Sequence, residues 1–305
     1  MSLRGVRNRP RVGAGATLLA AALLGAALTP SVPASAAADT EAGPPATTAT
    51  VLGGGLRPPP AGWIRVLDEG FTTVLRPSRW NRCHWWDDGG CTIASNDEEQ
   101  WYLPGNVTVA DGRLRLEARP EAVITPGAAE YDYSSGMVTS GPPQYRTPAK
   151  FAFRYGYVEA RLRLPAGRGL WPAFWLLPAD QESRPEIDVV EVLGHDTDRA
   201  RFHYHYHYRT PQDVRRSLGQ GWAGPDLAAG WHRFAVDWRP GEITWIVDGR
   251  ARWRVTGPAV SSERMYLVLN LAVGGNYPGP PDETTGFPAA VQADWIRVWR
   301  DPTLG

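Results

Sequence analysis

The chain has 305 residues, with 32 Lys and Arg against 32 Asp and Glu, a formal net charge of zero, and 43% apolar side chains. No basic stripe appears, and such a stripe is the electrostatic footprint of a nucleic-acid binder, so nucleic acid is excluded as the expected partner. Lys150 is the sole lysine.

In chain order, Arg4, Arg7, Arg9 and Arg11 precede an apolar run from Val12 to Leu28 and the small-residue stretch Pro33-Ala34-Ser35-Ala36-Ala37-Ala38. This is the pattern of a signal peptide over residues 1–38, with cleavage expected after Ala36 or Ala38. The run falls short of the ~20 apolar residues that a membrane span needs, so an uncleaved anchor is the lesser alternative. The expectation is a secreted, extracellular protein, free of the membrane after cleavage. Losing the leader leaves 28 basic against 32 acidic residues, a net charge of about −4. Residues 39–61 are rich in Ala, Thr, Pro and Gly and predict a flexible linker. The remaining stretch, 62–302, suits one large all-β domain without internal repeats, expected to be a monomer.

Cys83 and Cys91 are the two cysteines, and in an exported chain they predict a disulfide. The closed loop holds Trp85 and Trp86, which suits either a binding-site wall or a plain surface staple; two thiols alone do not make a metal site. Next, Asn96, Glu98, Gln100 and Tyr102 alternate, which would place amide and carboxyl groups on one strand face. Such groups either fix sugar hydroxyls or satisfy one another in a buried network.

Short strands separated by Gly, Pro, Asp and Asn turns follow: 106–110, 113–118, 156–164, 173–177, 202–208, 233–237, 242–247, 251–255, 265–273 and 291–300. Asp248-Gly249 is a strong hairpin signal between two of them. The economical architecture is all-β, two antiparallel sheets face to face with one concave face. Trp171 and Trp175 share a strand face and form candidate platforms for sugar rings, although aromatics also dominate cores.

Glu186-Ile187-Asp188-Val189-Val190-Glu191 sets three carboxylates among β-branched residues. Glu186 and Asp188 share a face by the strand's period of two. Glu191 breaks the period and joins them only if a β-bulge near Val189 or Val190 absorbs one residue. Paired carboxylates cannot both ionise freely, which is what cleavage of a glycosidic bond requires: one attacks the anomeric carbon, the other protonates the departing oxygen, and a separation of about 5 Å predicts retention. The alternative is an acidic, solvent-facing edge strand. On the next strand His203, His205 and His207 alternate with Tyr204, Tyr206 and Tyr208. Three histidines in line spread over about 13 Å, too far for one zinc ion, so one of them is expected to bond a carboxylate or a sugar hydroxyl.

Six blocks in order carry a resemblance: Asn96 to Tyr102, Tyr155 to Arg161, Gly169 to Trp175, Glu186 to Glu191, Leu269 to Gly275, and Ala293 to Trp299. From about Trp63 to Trp299 the chain resembles glycoside hydrolase family 16, the laminarinase-like β-glucanases. The resemblance implies a β-jelly-roll sandwich with a concave substrate cleft, with Glu186 as nucleophile, Glu191 as acid/base and Asp188 tuning the pair. Its histidine on the next strand is best matched by His205 (His203 as alternative), which joins Trp171, Trp175, Asn96, Gln100 and Trp86 of the residue patterns above as the expected substrate contacts; the Cys83 to Cys91 loop is not a general feature of the family. No cofactor is required, and Asp294, with backbone oxygens near Glu69 and Gly112, matches the structural calcium site of some members. The arginine that often follows the Ser-Gly of the cleft strand is here Met137, after Ser134-Ser135-Gly136, and a Pro-rich insertion spans Gly141 to Pro148. The expected activity is a retaining endo-β-glucanase on β-1,3 or mixed β-1,3-1,4 linkages of a β-glucan polysaccharide. Alternatives are hydrolysis of another β-linked polysaccharide, such as an exopolysaccharide or galactan, a transglycosylase, or a non-catalytic glucan-binding lectin.

Overall fold

The computed structural model describes residues 46–86, 91–182, 184–208 and 214–304. The signal peptide, the first part of the linker and the tip of the cysteine loop lie outside them. Among the described residues no helix is long and apolar enough to cross a membrane.

Fifteen strands build the sandwich: β1 (Thr48–Val51), β2 (Ile64–Glu69), β3 (Val107–Ala110), β4 (Arg113–Ala118), β5 (Met137–Thr139), β6 (Gly156–Arg163), β7 (Leu170–Pro178) and β8 (Glu186–Glu191). Then come β9 (Arg199–Tyr208), β10 (Val214–Ala223), β11 (Trp231–Arg239), β12 (Glu242–Val247), β13 (Arg250–Thr256), β14 (Met265–Val273) and β15 (Ala289–Arg300). One sheet runs β1-β13-β12-β11-β6-β15-β4-β3, with β2 also on β15; the facing sheet runs β10-β9-β8-β7-β14-β5. All neighbours in both sheets are antiparallel, as the expected jelly-roll sandwich requires.

Alternation decides what lies between the sheets. On β9 Tyr204 is fully buried and Tyr206 nearly so, while His203 and His205 stay half-buried on the opposite face. Phe174, Phe202, Phe234, Trp238, Trp245 and Trp253 join Tyr204 in the same continuous core. Each such side chain contributes about 1.5–3 kcal/mol by burial. Asp248 (φ 51°) and Gly249 (φ 74°) close the β12–β13 hairpin, two successive left-handed residues as a type I′ turn demands.

The linker expectation fails over its described part. Thr48–Val51 pairs with β13 from Thr48↔Thr256 to Val51↔Trp253. Arg57 donates to Asp237 at 2.9 Å and to Glu242 at 3.2 Å. Leu52 and Trp63 pack on the outer face against Tyr157, Ala235, Ile246, Ala251 and Trp299. Small residues form this edge strand through backbone pairing and one hydroxyl contact, Thr48 Oγ1 to Thr256 Oγ1 at 3.0 Å, so composition did not distinguish the strap from slack chain.

Candidate active site

The catalytic strand β8 is held between β7 and β9 and carries the expected bulge. Across β7 the register is Trp175↔Asp188, then Phe174↔Val190 and Ala173↔Glu191, leaving Val189 without a partner. The irregularity also shows against β9, between Asp188 and Glu191. The extra residue returns Glu191 to the face of Glu186 and Asp188. The indole of Trp245, reaching across from the other sheet, donates to the Asp188 carbonyl at 2.8 Å, so a backbone acceptor at the bulge is satisfied inside the core.

All three carboxylates open into one cleft of about 630 Å³. Its walls include Trp85, Trp86, Trp171, Trp175, Asn96, His203, His205 and Tyr277. Trp171 donates its indole N–H to Glu191 Oε1 at 3.0 Å, and His203 Nδ1 bonds Glu191 Oε2. His205 Nε2 lies 3.3 Å from Asp188 Oδ2 and its Nδ1 lies 2.6 Å from Ser217 Oγ. Both histidines therefore face the cleft, each serving a different carboxylate. One nitrogen each of His203 and His205 and an Asp188 oxygen lie within 4.8 Å of one another.

Electrostatics at β8 follow from burial and crowding. Desolvation, then the charge of Asp188, raises the Glu186 pKa well above the ordinary carboxylate value. Desolvation, then the charge of Glu191, raises Asp188. Desolvation also lowers His205, keeping it neutral near pH 7. Glu186 and Asp188, whose charged forms disfavour one another, thus hold their protons to higher pH than free carboxyls do.

The alternating acid and amide residues before β3 divide. Asn96 and Glu98 line the cleft, but Gln100 is fully buried and does not reach it, which corrects its assignment to substrate. The chain bends through a 3-10 turn at Ala94–Asn96, so the four residues do not share one strand face. Gln100 donates to Glu98 at 2.6 Å and accepts from the Val273 amide at 2.6 Å. Asn270 donates to the Tyr102 hydroxyl at 2.9 Å and accepts from Trp175 Nε1 at 2.8 Å. This network fixes the indole of Trp175, whose body is buried beside Met137.

Cys83 and Cys91 are bonded, with Cα atoms 5.1 Å apart. Trp86 stacks on His84 at 3.7 Å. Burial drives the His84 pKa down to about 3, so it is a neutral plate behind the tryptophan. Trp85 donates to the Tyr266 hydroxyl at 3.1 Å and stacks on Tyr145 of the Pro-rich insertion. Trp85 and Trp86 thus stand at the cleft wall. Sequence reasoning missed Tyr266, Tyr277 and Trp245; Asn270 stood in a quoted block, but nothing in a single sequence marks a side chain that acts from a neighbouring strand or a facing sheet.

Asp294 does not fit a calcium site. Arg161 donates to its Oδ2 at 2.6 Å and also lies over the Trp231 ring at 5.0 Å. A fixed guanidinium faces the sole carboxylate of the expected set, whereas calcium takes six to eight oxygens.

A jelly-roll sandwich that gathers three carboxylates in a cleft lined by tryptophans defines the class of β-sandwich glycoside hydrolases. The model of glycosyl hydrolases family 16 matches residues 97–297, and the chain belongs to that family. It is 34% identical over 243 residues to the endo-1,3-1,4-beta-glycanase EglC of Rhizobium meliloti, covering 76% of this chain and 49% of that protein. It is 31% identical over 262 residues to the glucan endo-1,3-beta-glucosidase A1 of Niallia circulans, covering 77% and 37%. The chain thus spans half or less of these two relatives. The laminarinase catalytic domain from Thermotoga maritima superposes with a TM-score of 0.68 at 33% identity, covering 78% of this chain and 98% of that one.

Proposed function

We propose that the protein is a secreted, monomeric retaining endo-glycosidase that hydrolyses internal β-1,3 or mixed β-1,3-1,4 linkages of a β-glucan. The observation that supports it best is the bulged strand that turns Glu186, Asp188 and Glu191 into one cleft floored by Trp171 and Trp175. Glu186 attacks the anomeric carbon while Glu191 protonates the departing oxygen; water then resolves the glycosyl ester, with Glu191 taking its proton. Asp188, hydrogen-bonded to Glu186, holds a proton or a charge beside the nucleophile as the ester forms and breaks. These steps need no cofactor. The relatives' names, an endo-1,3-1,4-beta-glycanase and a glucan endo-1,3-beta-glucosidase, support the choice of glucan.

The test is product analysis on laminarin, lichenan, barley glucan and galactan, for the native chain and for Glu186→Gln. Internal cleavage with retained anomeric configuration is expected from the native chain, and a loss of about 10⁴-fold or more from the variant. Equal release of oligosaccharides by both would remove Glu186 from the mechanism. Binding without cleavage by the native chain would make the protein a lectin, and long mixed products from added acceptor would make it a transglycosylase.

A further inference from the structure

The hydrogen bonds around Glu191 leave one place for its catalytic proton. An indole N–H can only donate, so the Trp171 bond makes Oε1 an acceptor. A protonated Glu191 therefore carries its hydrogen on Oε2, and Oε2 faces His203 Nδ1. A neutral imidazole nitrogen accepts there; if the proton crosses, the pair becomes imidazolium and carboxylate, with the same single proton between the same two atoms.

The imidazole is held in that orientation by what is missing opposite it. Gly219 of β10 pairs with His203, and a Cβ at that position would lie 2.5 Å from His203 Cδ2 and 2.9 Å from Nε2. The ring also stacks on His205 at 5.7 Å and meets Tyr277 at 6.5 Å. Its charged and titratable neighbours are Glu186, Asp188 and Glu191 from β8, His205 and Arg201 from its own strand, and Tyr277 from the loop after β14; β10 offers only Gly219 directly across.

Resting on the glycosidase reading, we propose that His203 is a positioning residue that shares the catalytic proton with Glu191, so that the general acid is a Glu191–His203 pair rather than a lone carboxyl. In the first half-reaction the shared proton passes from Oε2 to the glycosidic oxygen as the C1–O bond breaks and Glu186 bonds C1. In the second half, water attacks C1, Glu186 departs, and the water's proton returns to the pair. Burial alone would lower the His203 pKa, but the hydrogen bond to Glu191 and the charges of Glu191, Asp188 and Glu186 outweigh it and hold it above the usual imidazole value. The imidazole, held against Glu191 by that bond, thus keeps a proton to higher pH than a free histidine.

The experiment compares native protein, His203→Phe, His203→Gln and Gly219→Ala on a β-glucan and on a dinitrophenyl β-glucan oligosaccharide, whose phenolate departs without a proton. His203→Phe should lose about 10²-fold or more in kcat on the glucan, with the alkaline limb of its pH profile moved to lower pH, and less than about threefold on the aryl substrate. Gly219→Ala, which changes no titratable group, should move the same limb in the same direction. Parallel loss on both substrates, or an unmoved limb, would reduce His203 to a structural residue. Failure of the native chain on every glucan would instead overturn the proposed function. The pair remains testable then by NMR titration of the His203 imidazole. Its pKa should fall in Glu191→Gln, and an unchanged value would refute the shared proton.

Discussion

Glu186 is placed where its charge is unwelcome, and that has a measurable cost. Its folded pKa is raised by burial and by Asp188, whereas in the unfolded chain a glutamate titrates near about 4.3. A group with a raised folded pKa adds stability below its unfolded pKa and loses it as pH rises toward and through the folded value, so at neutral pH, above the unfolded value, the raised pKa of Glu186 works against the fold. Glu186→Gln should therefore raise Tm at pH 7, by about 2–4 °C for each kcal/mol recovered in a domain of this size. The gain over native should vanish below about pH 4, where both states of the native carboxyl are protonated. Calorimetry across pH 4–8 checks this, and a variant less stable than native at pH 7 would contradict it. Inactivation and stabilisation by one substitution is the trade expected of a strained catalytic group.

At the level of the strand, the bulge separates two functions of β8, its register and its reach. Deleting Val189 leaves Val190 inward against Phe174 and Glu191 outward against Ala173, because Val189 is the residue without a partner. That deletion should cost about 1–3 kcal/mol for a lost buried valine, yet keep a folded protein with measurable hydrolysis. Deleting Ile187 instead turns Glu186 into the core and should abolish activity; assays and denaturation of the two deletions distinguish the cases. Trp245→Phe removes the donor to the Asp188 carbonyl. It should destabilise by about 1–3 kcal/mol and lower kcat more than it raises KM, as kinetics beside urea unfolding would show. The bulge itself was legible in the sequence, since three outward acids with a two-residue gap admit no regular strand. The indole that satisfies it was not. Trp245 lies 57 positions away, and nothing local tells which core tryptophan meets which carbonyl. The same limit explains Gln100, whose alternation with Asn96 and Glu98 was visible while the 3-10 turn that separates them was not.

Across the whole molecule the inner strands of the two sheets were readable from β-branched runs and turn residues, because burial between two layers imposes them, whereas β2, β5 and β10 at the margins were not. The amino-terminal strap was not readable, since Thr48–Val51 is exposed throughout and is held on β13 by backbone pairing and one hydroxyl contact, Thr48 to Thr256. Arg57 ties that strap to Asp237, which is fully buried and also bound by Arg239 at 2.9 Å. Arg57→Ala should cost about 1–3 kcal/mol, less than losing a lone partner because Arg239 remains. Equilibrium denaturation measures the loss, and no change would mean that the strap is held by its strand pairing and apolar contacts without help from the ion pair.

Among the described residues, four tryptophans away from the cleft have a particular company. Arg239 lies over Trp63, Arg252 over Trp222, Arg113 and Arg161 over Trp231, and Arg297 over Trp295, at 4.1–5.3 Å. A cation stacked on an indole face already occupies the surface a sugar ring would need. Added saccharide can therefore perturb the emission of Trp85, Trp86, Trp171 and Trp175 while those covered rings stay silent, which makes the protein's own fluorescence an optical gauge of cleft occupancy with no label attached.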